Sequence, residues 1–152
     1  MGNCGCNNSC GSWWGNAQCI LQDIRGAISR LATYFYNYFY RGNVSYRNID
    51  LGILGVSVTQ QSTRLQGYYI FNASVTPLYV KIYDKNSAPT AADSPLRTLG
   101  IPPVSAANLA GLNLLLLNGF GLRASRLIAD NDNTALTAND CSVNFEYQVN
   151  VS

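Results

Sequence analysis

Four of the five cysteines crowd the start of this 152-residue chain, in the order Cys4-x-Cys6-x3-Cys10-x8-Cys19. Thiolates at such density are soft ligands, suited to Zn²⁺ or an iron–sulfur cluster. The spacing repeats no CxxC pair, and the chain has no His to complete a mixed site. Two other readings stand beside metal ligation by Cys4, Cys6, Cys10 and Cys19. One is disulfide bonding, within the segment or between copies, in an oxidising setting. The other is a small-residue arm of Gly, Asn and Ser whose thiols are simply buried. Cys141 falls on the inward side of an alternating strand and is expected to be inert.

Oxygen ligands gather at Asp130-Asn131-Asp132-Asn133-Thr134, with Asp140 downstream. Oxygens at alternate positions suit Ca²⁺, but the run lacks the glycine and the closing Glu of an EF-hand. Asn and Asp also make tight turns by bonding their own backbone, and the turn is the expected role. Met1-Gly2-Asn3-Cys4-Gly5-Cys6 approaches an N-myristoylation signal but has Cys6 where Ser or Thr belongs. Asn43-Val44-Ser45 and Asn72-Ala73-Ser74 are formal glycosylation sequons. The N-terminus has neither a charged n-region nor an apolar h-region, so no secretory signal gives those sequons meaning.

The missing residue types exclude more than the present ones suggest. Without His, Ser-His, Cys-His and His-metal chemistry go together. Glu146 is the single Glu, so any carboxylate pair must use Asp, and nothing nucleophilic or cationic is arranged around the Asp residues. The chain reads as non-enzymatic, with no cofactor. Charged residues are only 12% and the net charge is +2, which leaves little footprint for nucleic acid. No run of about 18 apolar residues exists, so no membrane partner is expected. Hydrophobic residues reach 47%, which rules out a disordered chain. Lys occurs only at positions 81 and 85, and every other cation is Arg. A surface poor in charge and rich in Tyr, Asn and Arg suits coverage by a partner.

The elements that must carry these residues divide at about residue 45, into an arm with a helix (1–45) and a strand-rich domain (46–152). Ile20, Ile24, Ile28, Leu31 and Phe35 recur at steps of three and four, which predicts a helix of about 24 residues between Asn16 as N-cap and Gly42 as C-terminal stop. The run Tyr34-Phe35-Tyr36-Asn37-Tyr38-Phe39-Tyr40 is a poor helix former and leaves a strand open there. The stripe either packs as ordinary core or packs on copies of the chain or a neighbouring shell. The aromatic excess favours the second, with Trp13, Trp14, Tyr34, Phe35, Tyr38 and Phe39 joining Ile20, Ile24, Ile28 and Leu31 as contact residues. Beyond it the period becomes two. Cys141, Val143, Phe145, Tyr147 and Val149 alternate with Ser, Asn, Glu and Gln, as in a half-buried antiparallel strand. Leu78–Tyr83 alternates likewise, with Leu78, Val80 and Ile82 inward. Tyr68–Phe71, apolar on both faces, is expected to be central. Further strands are expected near 53–59, 96–101, 113–117 and 122–128, punctuated by Pro89, Pro95, Pro102-Pro103 and Asn118-Gly119. The predicted class is all-β, an antiparallel β-sandwich with room for a jelly roll, preceded by an arm and one helix.

From Gln66-Gly67-Tyr68-Tyr69-Ile70-Phe71-Asn72 the order continues through Pro77–Lys85 and Ala88-Pro89-Thr90. It then runs through Ile101-Pro102-Pro103, Ala106–Leu109, Asn118–Leu122 and Ala129–Ala135 to the final strand. Over about 95 residues, roughly Val56 to Tyr147, this resembles the small β-sandwich virion proteins of tailed bacteriophages, which include capsid cement and decoration proteins. The resemblance implies a virion component, closing as a homotrimer, bound to the major capsid protein or neighbouring virion proteins, and bridging capsomers. Its rivals are a tail, neck or fibre-base part and a module whose loops grip a host glycan. Loops 86–95 and 130–140 carry no aromatic residue to support the last. Residues 1–45 lie outside the resemblance.

Overall fold

The computed structural model describes the backbone of residues 13–39 and 42–149, with side chains over 17–36 and 42–149. The chain forms two compact units that divide between Arg41 and Gly42.

The first unit contains α1 (Trp13–Phe39), a helix of 27 residues and about 40 Å. It starts three residues before the expected cap, so Asn16 lies within it rather than at its end. Trp14 and Ala17 continue the three–four spacing, and this carries the helix a turn earlier. The aromatic run is helical to Phe39, so the strand alternative is overturned. Intrinsic propensity is a weak prior against a continuous apolar face. Thr33 donates its hydroxyl to the Ser29 carbonyl at 2.9 Å, one turn back, which satisfies a side chain otherwise ill-suited to a helix.

The second unit is two four-stranded antiparallel sheets. Its strands are β1 (Val44–Asn48), β2 (Val56–Thr59), β3 (Thr63–Asn72), β4 (Leu78–Tyr83), β5 (Arg97–Ile101), β6 (Ser105–Leu116), β7 (Phe120–Ser125) and β8 (Cys141–Val149). One sheet runs β1-β8-β3-β6 and the other β2-β7-β4-β5. Eight strands shared between two sheets in this order are a jelly roll. β1 begins two residues before the expected start of the domain. β6 is much longer than the expected 113–117 strand, because β3 pairs with it from Thr63↔Leu116 to Asn72↔Ser105. β7 stops at Ser125, short of the expected 128.

The core lies between the sheets. Leu65, Ile70, Val143 and Phe145 from one inner face meet Val80, Ile82, Phe120 and Leu122 from the other, all fully buried. Phe120 stands edge-on to Phe145 at 5.3 Å and to Tyr147 at 5.9 Å between ring centres. Each such side chain stabilises the fold by about 1.5–3 kcal/mol through burial. The β8 alternation and the inward Leu78, Val80 and Ile82 are as expected. β3 is an interior strand, although Tyr69 faces outward and is exposed.

Two local devices fix the connections. At the Asn118-Gly119 turn, Gly119 has φ of +149°. A Cβ there would lie 2.8 Å from the Thr59 and Lys85 carbonyl oxygens, so only glycine fits. At the end of β3, Asn72 is fully buried. Its amide donates to the carbonyls of Thr76 (2.9 Å), Ile101 (3.2 Å) and Pro102 (2.9 Å), tying the end of one sheet to the other. That amide is closed to a glycosyl donor, so the Asn72 sequon is structural.

β3 and β6 share an irregularity. Leu65 pairs with Leu114 but Gly67 with Ala110, so three residues of β6 oppose Gln66 alone. Gly111 (φ +71°) and Asn113 (φ +50°) take left-handed conformations within this stretch. Arg64 Nη1 donates to Asn113 Oδ1 at 2.7 Å and pins the bulge.

Candidate functional site

The residues expected to make contacts fall on α1. Ile20, Ile24, Ile28, Leu31, Tyr34 and Phe35 are each about half exposed or more. Trp13, Trp14, Tyr38 and Phe39 lie on the same helix, with side chains outside the described residues. Leu21, at 64% exposure, belongs to the face as well. With it, Leu21, Ile24, Ile28, Leu31 and Phe35 follow steps of three, four, three and four. The pattern continues in sequence to Ala17 and Trp14 on one side and Tyr38 on the other. This is the heptad spacing of a supercoiled seam, with a period of 3.5. Ile20, Ala27 and Tyr34 border it along one side and widen the apolar stripe. The sequence alone gave the stripe as Ile20-Ile24-Ile28-Leu31-Phe35. The signal that would have refined it was the unbroken alternation of three and four beginning at Trp14.

Among the cysteines, Cys4, Cys6 and Cys10 lie outside the described residues, and Cys19 is half-buried on α1. Cys141 is free and buried. Burial, with Asp140 and Asp50 nearby, pushes its thiol up to about 12. A thiol held protonated in this way is a poor nucleophile.

The 130–140 loop is built as turns. Asp132 accepts from the Leu127 amide (2.8 Å), the Thr134 amide (3.1 Å) and the Thr134 hydroxyl (2.7 Å). Burial opposes its ionisation, but these bonds outweigh it and hold the carboxyl at about 2. Asp140 pairs with Arg126 at 2.6 Å and accepts from the Thr137 amide at 3.0 Å. The loop carbonyls that a cation would seek already face cations of the chain itself. Lys81 Nζ donates to Ala129 O and Asp130 O. Arg123 Nη2 donates to Asp132 O and to Asn133 Oδ1, each at 2.7 Å. Arg123 Nε reaches Ile53 O at 2.8 Å. Among the described residues no group of three or more His, Cys, Asp or Glu gathers to hold a metal.

Lys81, Tyr83 and Arg123 were not foreseen as buried. All three project from the outer face of the β2-β7-β4-β5 sheet and have almost no exposed surface. The segments at 50–55 and 126–140 close over them, tied down by Ala124 N to Gly52 O (2.8 Å) and Arg126 N to Thr134 O (3.2 Å). Burial first, and then Arg123, lower the Lys81 ammonium below its ordinary range. The Tyr83 hydroxyl and Arg123 Nη1 are buried without a hydrogen-bond partner.

No described helix is long and apolar enough to cross a membrane. No protein-family model matches the chain, and no curated protein does. Among solved structures it is similar to the coat protein of Tobacco streak virus. One such structure is 11% identical with a TM-score of 0.35, over 72% of this chain and 88% of that one. A structure of the coat protein dimer is 12% identical with a TM-score of 0.33, over 72% of this chain and 87% of that one.

Proposed function

We propose that this chain is a structural protein of a virion, a capsid cement or decoration protein that self-associates through α1. The exposed heptad seam of α1 carries the reading. A helix that exposes Leu21, Ile24, Ile28, Leu31 and Phe35 gains little from its own hydrogen bonds and is stabilised by covering that face. A 3.5 repeat fits a second copy of the same helix better than a flat surface. The apolar border of Ile20, Ala27 and Tyr34 suits more than two strands, hence a trimer. Trp13, Trp14, Tyr38 and Phe39 extend the same contact by sequence. The jelly roll would then meet the major capsid protein or its neighbours. Its resemblance to phage virion sandwiches over Val56 to Tyr147 and its low charge support that assignment, while the fold alone would not. Several modest contacts per oligomer lock a lattice through multivalency.

Copy number per purified particle tests it. Cement predicts a value near one per capsid subunit, or a multiple of the shell's symmetry. A dozen or fewer would place the chain in the tail, neck or fibre base. Absence from the particle would overturn the virion reading.

A further inference from the structure

The outer face of the β1-β8-β3-β6 sheet carries an open groove of about 570 Å³. That volume is within the range of small-ligand sites. Its origin is the shared bulge of β3 and β6. Gly67 sits in the middle of the sheet, between Glu146 of β8 and Ala110 of β6. A Cβ there would lie 2.7 Å from the Leu109 carbonyl oxygen, so the floor is fixed as side-chain-free. One rung along, Asn144, Tyr69 and Asn108 stand side by side on β8, β3 and β6. Tyr69 is 45% exposed and forms one wall. Ala110, opposite Gly67, adds an apolar side chain to the lining, and Leu109 contributes its backbone, its side chain lying on the Tyr68 side of the sheet.

The chemistry of this lining selects a ligand class. Asn108 and Asn144 each bring a donor and an acceptor, and Glu146 brings acceptors only. No described hydrogen bond uses these three side chains or the Tyr69 hydroxyl, so all four are available. Among the described residues no Lys or Arg lines the groove, and Glu146 repels anions. That disfavours phosphate, nucleic acid and acidic sugars. A purely apolar ligand would desolvate two amides and a carboxylate without replacing their bonds. A ligand with many hydroxyls and an apolar C–H face satisfies both halves, with hydroxyls on the amides and carboxylate and the C–H face on the tyrosine ring. We infer that this groove binds a neutral oligosaccharide. The inference is independent of where the chain sits in a particle. It also places the aromatic platform on a sheet face, not on the loops at 86–95 and 130–140.

The test is a glycan array of neutral and acidic oligosaccharides of three or more sugars, probed with the labelled full chain. The best neutral hit is then titrated by NMR. The expected result is capture of neutral members, with affinity at least tenfold weaker for Tyr69→Ala and for Asn144→Ala at unchanged melting temperature. If Tyr69→Ala does not fold, Asn144→Ala decides, since that side chain is exposed and buries nothing. Capture of acidic members only, no capture at all, or neutral binding indifferent to Asn144→Ala would overturn the inference.

Discussion

Lys81 and Arg123 stand directly opposite each other on β4 and β7, two cations with no exposed surface on neighbouring strands. They repel, yet each is held by loop oxygens, and together they fasten the 126–140 segment onto the sheet.

Removing the arginine is therefore expected to cost more than removing the lysine. Arg123→Leu strands Ile53 O, Asp132 O and Asn133 Oδ1, for a loss of about 3 kcal/mol or more. Lys81→Met strands Ala129 O and Asp130 O but relieves the repulsion, for about 1–2 kcal/mol. Tyr83→Phe removes a buried hydroxyl that borders the Arg123 guanidinium without a well-formed hydrogen bond, and should cost about 1 kcal/mol or less. Urea unfolding ranks the three, and a Lys81 loss equal to that of Arg123 would show that the loop carbonyls matter equally at both.

Stability should fall on the alkaline side through Cys141. Its thiol ionises near 9.0 when unfolded and at about 12 when folded. The unfolded state therefore loses its proton first, and stability declines from pH 9 towards 12 by up to about 4 kcal/mol. Tyr83 and Tyr147, both raised by burial, add in the same direction. Lys81, lowered, works against them below 10.5. Thermal melts of Cys141→Ala should show a flatter alkaline slope, and an unchanged slope would assign the loss to the tyrosines. On the acid side, Asp93 and Asp132 both titrate at about 2. Asp93 is held there by Lys85, at 2.7 Å, and by Thr90. Their contribution is present above the ordinary 3.8 and is lost as pH falls towards 2. Asp132→Asn should remove part of that acid limb.

Phe145 touches Phe120 across the sandwich and Tyr68 on the neighbouring strand of its own sheet. Phe145→Ala should cost about 3–5 kcal/mol, and Val143→Asp should unfold the domain by burying an unpaired charge. A native-like circular dichroism spectrum for Val143→Asp would contradict the inward register of β8.

Deleting residues 1–41 should leave a folded, monomeric β unit. Deleting to 45 should be worse, because Val44 and Ser45 pair with Tyr147 and Glu146 of β8. In the full chain, Leu31→Asp should abolish self-association and leave melting of the β unit unchanged. Light scattering on the sized chain measures this. A full chain that is monomeric before mutation would remove α1 as the assembling element.

The strands with one wet and one dry face were readable from the sequence. β8 and β4 show their cores because charge and amide alternate with apolar residues. The same logic hid Lys81 and Arg123, since a charge in an alternating strand signals solvent and nothing local announces a covering loop. β6 was hidden from Ser105 to Leu112 because Ala106, Ala107, Ala110 and Gly111 have little preference for strands, and pairing with β3 decides their state. The groove was invisible because Gly67, Tyr69, Asn108 and Asn144 come from three strands and meet only through register. The seam on α1 was legible as a stripe, and its heptad phase needed Leu21 and a helix that starts before Asn16.

β6 ends its sheet, and an end strand is where a foreign strand would add itself. Gly111 and Asn113, turned left-handed in the middle of β6, break that row of free amides and carbonyls into two short runs. Runaway stacking of one sheet onto the next, the route to fibres, is thereby obstructed.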